Sequence, residues 1–228
     1  MSASIRGYSY ERMNHPNHAV VSSVDTGTAT RADLLAAARK VFALKGFDGT
    51  SIRTITREAG TNLGAVTYHF GSKRALYGAV LEAGLRPLAV RVSDAVTSSG
   101  TARERMLRVV EAYFAHFEVH PDLPRLLLQE VAAGKPPPPV VLEILIGMKE
   151  AIAGLQEEGT RDGSVRPGHP VLTALSVISQ PIYFTLIAPM LRAFAGVDLS
   201  DAATRATALE HVVAFVRAGL EPHSENAS

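Results

Sequence analysis

The chain has 228 residues, 46% of them apolar, and a formal net charge of +1, which fits one or two packed domains rather than a disordered chain. It has no cysteine; that excludes a disulfide scaffold and any thiolate metal site, and points to a cytosolic setting. No run of ~18 uninterrupted apolar residues offers a membrane span, because the best candidate, residues 171–190, is broken by Ser, Thr, Gln and two prolines.

Residues 1–30 lack the apolar stretch and cleavage site of a secretory leader and read as a flexible tail. From Arg31 the pattern changes. Leu34, Leu35, Ala38, Val41, Phe42 and Lys45 fall in a three/four rhythm, which predicts an amphipathic helix over 31–45, capped by Thr30 and closed by Gly46. Phe47, in the turn GFDGT, is placed to plug the core beneath it. A helix of about two turns follows over 51–58, with Thr50 or Ser51 as cap, Ile52, Ile55 and Ala59 facing inward, and Gly60 ending it. Asn62 opens another over 63–68, and Ser72 a much longer one running to Val96 with Pro87 inside it. Helices this short are marginal in water on their own, so packing on one another must hold them.

The rest is also helical in period. Predicted helices cover 102–119, 122–132, 140–158, 171–194 and 199–220, with GKPPPP (134–139) a stiff polyproline connector and 158–170 a turn-rich loop with a tight hairpin at Asp162-Gly163. No run alternates as a strand does and no repeat is present, so the fold class is all-α. Three regions result: a tail (1–30), a head (31–78) and a body (79–228).

Charge divides along the same lines. The head holds eight Lys/Arg against three acids, while residues 79–228 hold 13 against 17, an asymmetry that points to a polyanion. Residues 51–68 have the layout of a helix-turn-helix, whose second helix enters the DNA major groove. Ile52, Ile55, Ala59, Leu63 and Val66 would lock the two helices together, leaving Asn62, Ala65, Thr67, Tyr68 and His69 outward. Gly64 and Ala65 are small enough for close approach, and Ala65 or the Thr67 methyl could meet a thymine methyl. Thr67 and Asn62 can bond base edges or phosphates. Ser51, Arg53, Tyr68, His69, Ser72 and Lys73 suit phosphate oxygens. Lys73 lies in the first turn of its helix, where the dipole disfavours a cation, and a bound phosphate would resolve that misfit.

On these residues the segment from Arg31 to Leu81 resembles the TetR family of transcriptional repressors: VFALKGFDGTS closing the first helix, IRTITREAG, and above all VTYHFGSKRALY. Many members carry two aromatics before the His-Phe pair; here Thr67 takes the first position. The resemblance implies a homodimer on a palindromic operator, paired through the last two helices, with a small effector in the body that changes the spacing of the two heads. Tyr113, His116, Phe117, Met148, Ile152, Gln180, Tyr183 and Phe184 are the positions assigned to that pocket, and the sparse charge of residues 171–190 favours a mostly apolar ligand. His116 and His120, four apart, have a metal-ligand spacing but no HExxH pattern; a cavity-lining or a solvated histidine are the other readings. No cofactor is called for. A structural α-helical dimer, or an enzyme without GxSxG, P-loop, Rossmann fingerprint or cysteine nucleophile, are the competing classes.

Overall fold

The computed structural model of the chain describes residues 23–222 apart from Ala133 and Lys135, and side chains from residue 31 onward. Among the described residues there are nine helices and no strand: α1 (Ser23–Lys45), α2 (Ile52–Glu58), α3 (Gly64–Phe70), α4 (Lys73–Thr97), α5 (Ala102–Val119), α6 (Leu123–Ala132), α7 (Pro139–Asp162), α8 (Pro170–Ala195) and α9 (Ala202–Leu220). The all-α class is therefore as the sequence requires. The first helix begins at Ser23, well before the expected cap at Thr30, so residues 23–30 of the tail expected over 1–30 are helical; residues 1–22 lie outside the described residues.

Helix α1 and the two short helices α2 and α3 close around Leu34, Ala38, Phe42, Ile55 and Val66, all fully buried. Phe47 plugs this core as expected, its ring 5.2 Å from Tyr77, while Phe42 meets Tyr77 edge-on at 4.8 Å. Helix α4 joins head to body. It buries Tyr77, Leu81, Leu85, Leu88 and Val92 along one stripe, and packs against α1, α5, α6 and α7. Head and body therefore share one contiguous apolar core through α4. A second core lies between α5, α7 and α9, around Met106, Val110, Leu155, Val212 and Val216.

Loop chemistry sets the helix ends. Thr101 and Glu104 form a reciprocal capping box at the start of α5, which satisfies two otherwise unpaired N–H groups. Pro138 is extended at φ −52°, ψ 143° and Pro139 starts α7, where a missing N–H costs nothing. The hairpin expected at Asp162-Gly163 is not formed. Helix α7 instead runs on to Asp162, and Gly163 ends it at φ 76°, the left-handed cap that glycine adopts most readily.

Helix α8 is the apolar outlier. By length and composition it could cross a membrane, with a mean hydropathy of 1.7 over a window that is only 17% buried, although its polar residues and prolines interrupt the unbroken run expected of a span. Leu172, Leu175, Tyr183, Met190 and Phe194 are all exposed on it, as is Phe215 on α9.

Candidate nucleic-acid interface

Helices α2 and α3 are joined by Ala59–Leu63, and Gly60 takes φ 65° at the turn, a conformation that side chains with a Cβ rarely adopt. Ser51 caps α2, its Oγ accepting from Thr54 N at 3.1 Å. Asn62 Oδ1 accepts from Ala65 N at 3.1 Å and opens α3. Ile55 and Val66 are fully buried between the helices, with Ile52 and Ala59 half-buried beside them. Thr56, not singled out from the sequence, is buried as well.

Only part of the expected reading face survives. Gly64, Thr67 and Tyr68 are exposed and His69 is half-exposed, Tyr68 retaining 84% of its surface. Ala65 is corrected: it is 8% exposed and packs into the head core, so it has no surface for a thymine methyl. Leu63 is corrected in the opposite sense; it is 48% exposed at the mouth of α3 and locks nothing. The Asn62 carbonyl is spent on its own helix, so only its amide group is left for DNA.

Lys73 has a different task from the phosphate contact expected of it. Its ammonium donates to the Phe47 and Thr50 carbonyls at 2.8 and 2.9 Å and stands 4.2 Å over the Phe47 ring. The misfit with the α4 dipole is offset by two carbonyl oxygens of the α1–α2 turn, and the residue staples that turn to α4. Ser72 caps α4 as expected, accepting from Ala75 N at 3.1 Å.

Free positive charge comes from elsewhere. Arg53 and Arg57 are exposed on α2; Arg57 adds its charge to that of Lys40 in lowering Glu58, but among the described residues neither arginine makes a close ion pair. Arg31, exposed on α1, lays its guanidinium 4.9 Å over the Phe70 ring at the end of α3. By contrast Lys40 is paired with Glu58 at 2.5 Å, and that pair holds the Glu58 carboxyl below its usual range. Arg57 and Arg31 were missed from the sequence, although the basic excess of the head was the signal that contained them.

The body clasps the head through α6. Arg39 Nε donates to Asp122 Oδ2 at 2.7 Å and its Nη2 bonds the other oxygen, giving a two-point pair between α1 and the start of α6. Burial opposes ionisation of Asp122, but the hydrogen bond and charge of Arg39 carry its carboxyl below the ordinary value. Arg74 reaches buried Glu130 at 3.4 Å and the Pro136 carbonyl at 2.8 Å. The Tyr77 hydroxyl donates to the Leu126 carbonyl at 3.1 Å.

The residues assigned to an effector pocket do not assemble into one cavity. Tyr113, Phe117, Met148 and Ile152 are core residues; Tyr113 and Phe117 contact edge-on at 5.7 Å, and burial pushes the Tyr113 phenol up. Tyr183 is exposed, and Phe184 packs partly buried against the second core. His116 is neither solvated nor a ligand group. It is 1% exposed, and its Nε2 donates to the Gly84 carbonyl at 2.9 Å. Desolvation, then the neighbouring His120, push its pKa down to about 4. The two rings lie 4.6 Å apart, and among the described residues no third group joins them as a metal site would need.

Two open clefts are present instead. One, of about 640 Å³, lies between α8 and the end of α9 and takes in Gln180 and Phe215. The other, of about 440 Å³, lies between the end of α5, α8 and the α8–α9 connection, and Phe117 forms part of its wall.

Comparison with known proteins agrees with this architecture. The family model described as "Bacterial regulatory proteins, tetR family" matches residues 34–80, and "Tetracyclin repressor-like, C-terminal domain" matches residues 103–216. The HTH-type transcriptional regulator RutR of Escherichia coli (strain K12) is 26% identical over 206 residues, which cover 86% of this chain and 92% of RutR. The HTH-type transcriptional repressor AcnR of Corynebacterium glutamicum is 32% identical over 80 residues, so the match spans 35% of this chain and only 40% of AcnR. Among solved structures, a bacterial regulatory protein in the tetR family from Rhodococcus RHA1 has a TM-score of 0.70 at 21% identity, over 84% of this chain and 97% of that one. A DNA-binding head and a helical C-terminal domain, each matched by its own family model, stand in one chain: it belongs to the TetR family of transcriptional regulators.

Proposed function

We propose that the protein is a ligand-responsive repressor, acting in the cytoplasm as a homodimer on an inverted-repeat operator. The observation that carries the reading is α3 itself. Its exposed face (Gly64, Thr67, Tyr68) belongs to the same small head as Arg53 and Arg57, both exposed on α2, which gives a reading surface accompanied by cations suited to phosphate. Such a helix fits the major groove, and the cations supply sequence-independent affinity by releasing counterions.

Dimerisation is supported by the exposed apolar stripe of α8 and by Phe215 of α9, since patches this large on a helix face seek a cover. A second copy gives that cover and places two α3 helices on one face of the duplex, about 34–36 Å apart for half-sites one turn apart. Repression is the role of AcnR, whose 80 matched residues are 32% identical to this chain, and is the reading adopted over activation. An effector works through the body, and a ligand shifts the arrangement of the heads only by its differential affinity for the two arrangements.

Selection of bound duplexes from a random library at fixed moderate salt tests the reading. An enriched inverted repeat is expected. Recovery of no motif from folded protein would overturn it, and would return the choice to a structural α-helical dimer or an unrecognised enzyme.

A further inference from the structure

The smaller cleft has a composition that selects its occupant. Its floor is apolar, with Phe114 and Phe117 of α5 opposite Ala188 of α8, and one cation stands in its wall, Arg205 of α9. That guanidinium is held by other residues of the cleft: one nitrogen donates to the Leu199 and Ser200 carbonyls at 3.2 and 3.3 Å, and the other meets Glu118 at 2.5 Å. Glu118 is the more exposed half of this pair. Its side chain is 51% exposed, against 26% for Arg205, and Arg205 is its one described partner.

We infer that this cleft binds a small amphiphile with an apolar body and a single carboxylate, the carboxylate taking the place of Glu118 on Arg205. The exchange replaces one ion pair by another and leaves Glu118, already half-exposed, to water, while the ligand's own apolar body leaves water against the nearly buried Phe114 and Phe117. A cationic ligand would meet the Arg205 guanidinium as a like charge and would have to share Glu118 with it. A volume of about 440 Å³ lies in the lower part of the range for small-molecule sites.

The cleft also has a route to the head. Its α5 wall ends in Glu118 and Pro121, and the next residue, Asp122, holds Arg39 of α1 in the two-point pair. Freeing Glu118 and filling the space beside Pro121 moves the α5–α6 turn, and with it the anchor of α1. This identifies a ligand class and a coupling residue for the regulator proposed above, and it rests on that reading.

The test uses three probes with the same tail: octanoate, 1-octanol and octylammonium. Each is titrated by calorimetry into the full-length protein, and operator affinity is followed by fluorescence anisotropy. Octanoate is expected to bind about tenfold or more tightly than the other two. Arg205→Gln should abolish that preference, and Ala188→Phe should abolish binding by filling the cleft; each variant is used only if its melting temperature matches the wild type. Octanoate should weaken operator binding about fivefold or more. Asp122→Asn should keep octanoate binding and lose that effect. Equal binding of all three probes, or octanoate binding untouched by both cleft variants, overturns the site. Arg205-dependent binding with unchanged operator affinity overturns the coupling. Wild-type protein that binds octanoate in the cleft but no operator leaves the site standing and refutes the regulator reading instead.

Discussion

Tyr68 and Lys73 are five residues apart and show how differently neighbouring polar side chains of one motif can be used. Tyr68 is 84% exposed and holds nothing in the fold beyond its edge contact with His69. Tyr68→Ala should leave stability within about 0.5 kcal/mol of wild type while lowering operator affinity, so a melt and an anisotropy titration on one preparation separate the two effects. Lys73→Ala should do both: it strands two carbonyls that a cation now satisfies, at about 1–3 kcal/mol in a chemical-denaturation midpoint. A variant that loses affinity for all sequences with unchanged stability would return Lys73 to the phosphate role. The sequence did not distinguish these tasks because the partners of Lys73 are backbone carbonyls 26 and 23 positions away, and no side-chain pattern reports them. Ala65 was misplaced for a related reason: in a helix of seven residues one step of rotation decides between groove and core, and small residues suit either.

At the scale of elements, helix rhythm carried most of the information. Helix α5 was legible to the residue, since Thr101 caps it and His120-Pro121 stops it. Helix α7 was cut short because Asp-Gly signals both a hairpin and a helix end, and only the packing of 159–165 chooses between them. That packing is tight. A Cβ on Gly159 would lie 2.4 and 2.7 Å from Val165 side-chain atoms and 3.0 Å from the Ala102 Cβ, so Gly159→Ala should cost about 1–3 kcal/mol by overpacking. Equal unfolding midpoints would show that the 163–169 loop yields freely. The effector pocket was not legible at this scale. Aromatic residues at helical spacing on α5 serve a core and a cavity equally well in sequence, and Tyr113 and His116 went to the core.

For the whole molecule, the join between head and body should set the response to acid. His116 is neutral and buried, with its pKa down to about 4, and His120 is displaced in the same direction. A group whose folded pKa lies below its unfolded value stabilises the fold fully above the unfolded value, near 6.5, and the stabilisation is lost as pH falls toward the folded value. Stability should therefore decline between about pH 6.5 and pH 4, with a slope of up to about 1.4 kcal/mol per pH unit for each histidine that takes up a proton on unfolding. Measured by denaturation at each pH, that slope should flatten in His116→Gln; an equal slope in the variant would place the proton uptake elsewhere. The association of chains belongs to this scale too. Tyr183→Glu and Phe215→Glu place charges on the exposed apolar stripe and should yield monomers of 24.3 kDa in sedimentation velocity, with operator binding reduced to that of one half-site. A wild-type monomer would instead leave α8 to be covered by something other than a second copy.

That two α3 helices read one operator through Thr67 is tested most directly by titrating wild type and Thr67→Ala against every single-base-pair variant of the selected duplex. Loss of discrimination by about 1–3 kcal/mol at one position in each half-site, related by the two-fold axis, is expected. A uniform loss at all positions, or a loss confined to one half, would contradict a symmetric dimer reading bases from the exposed face of α3.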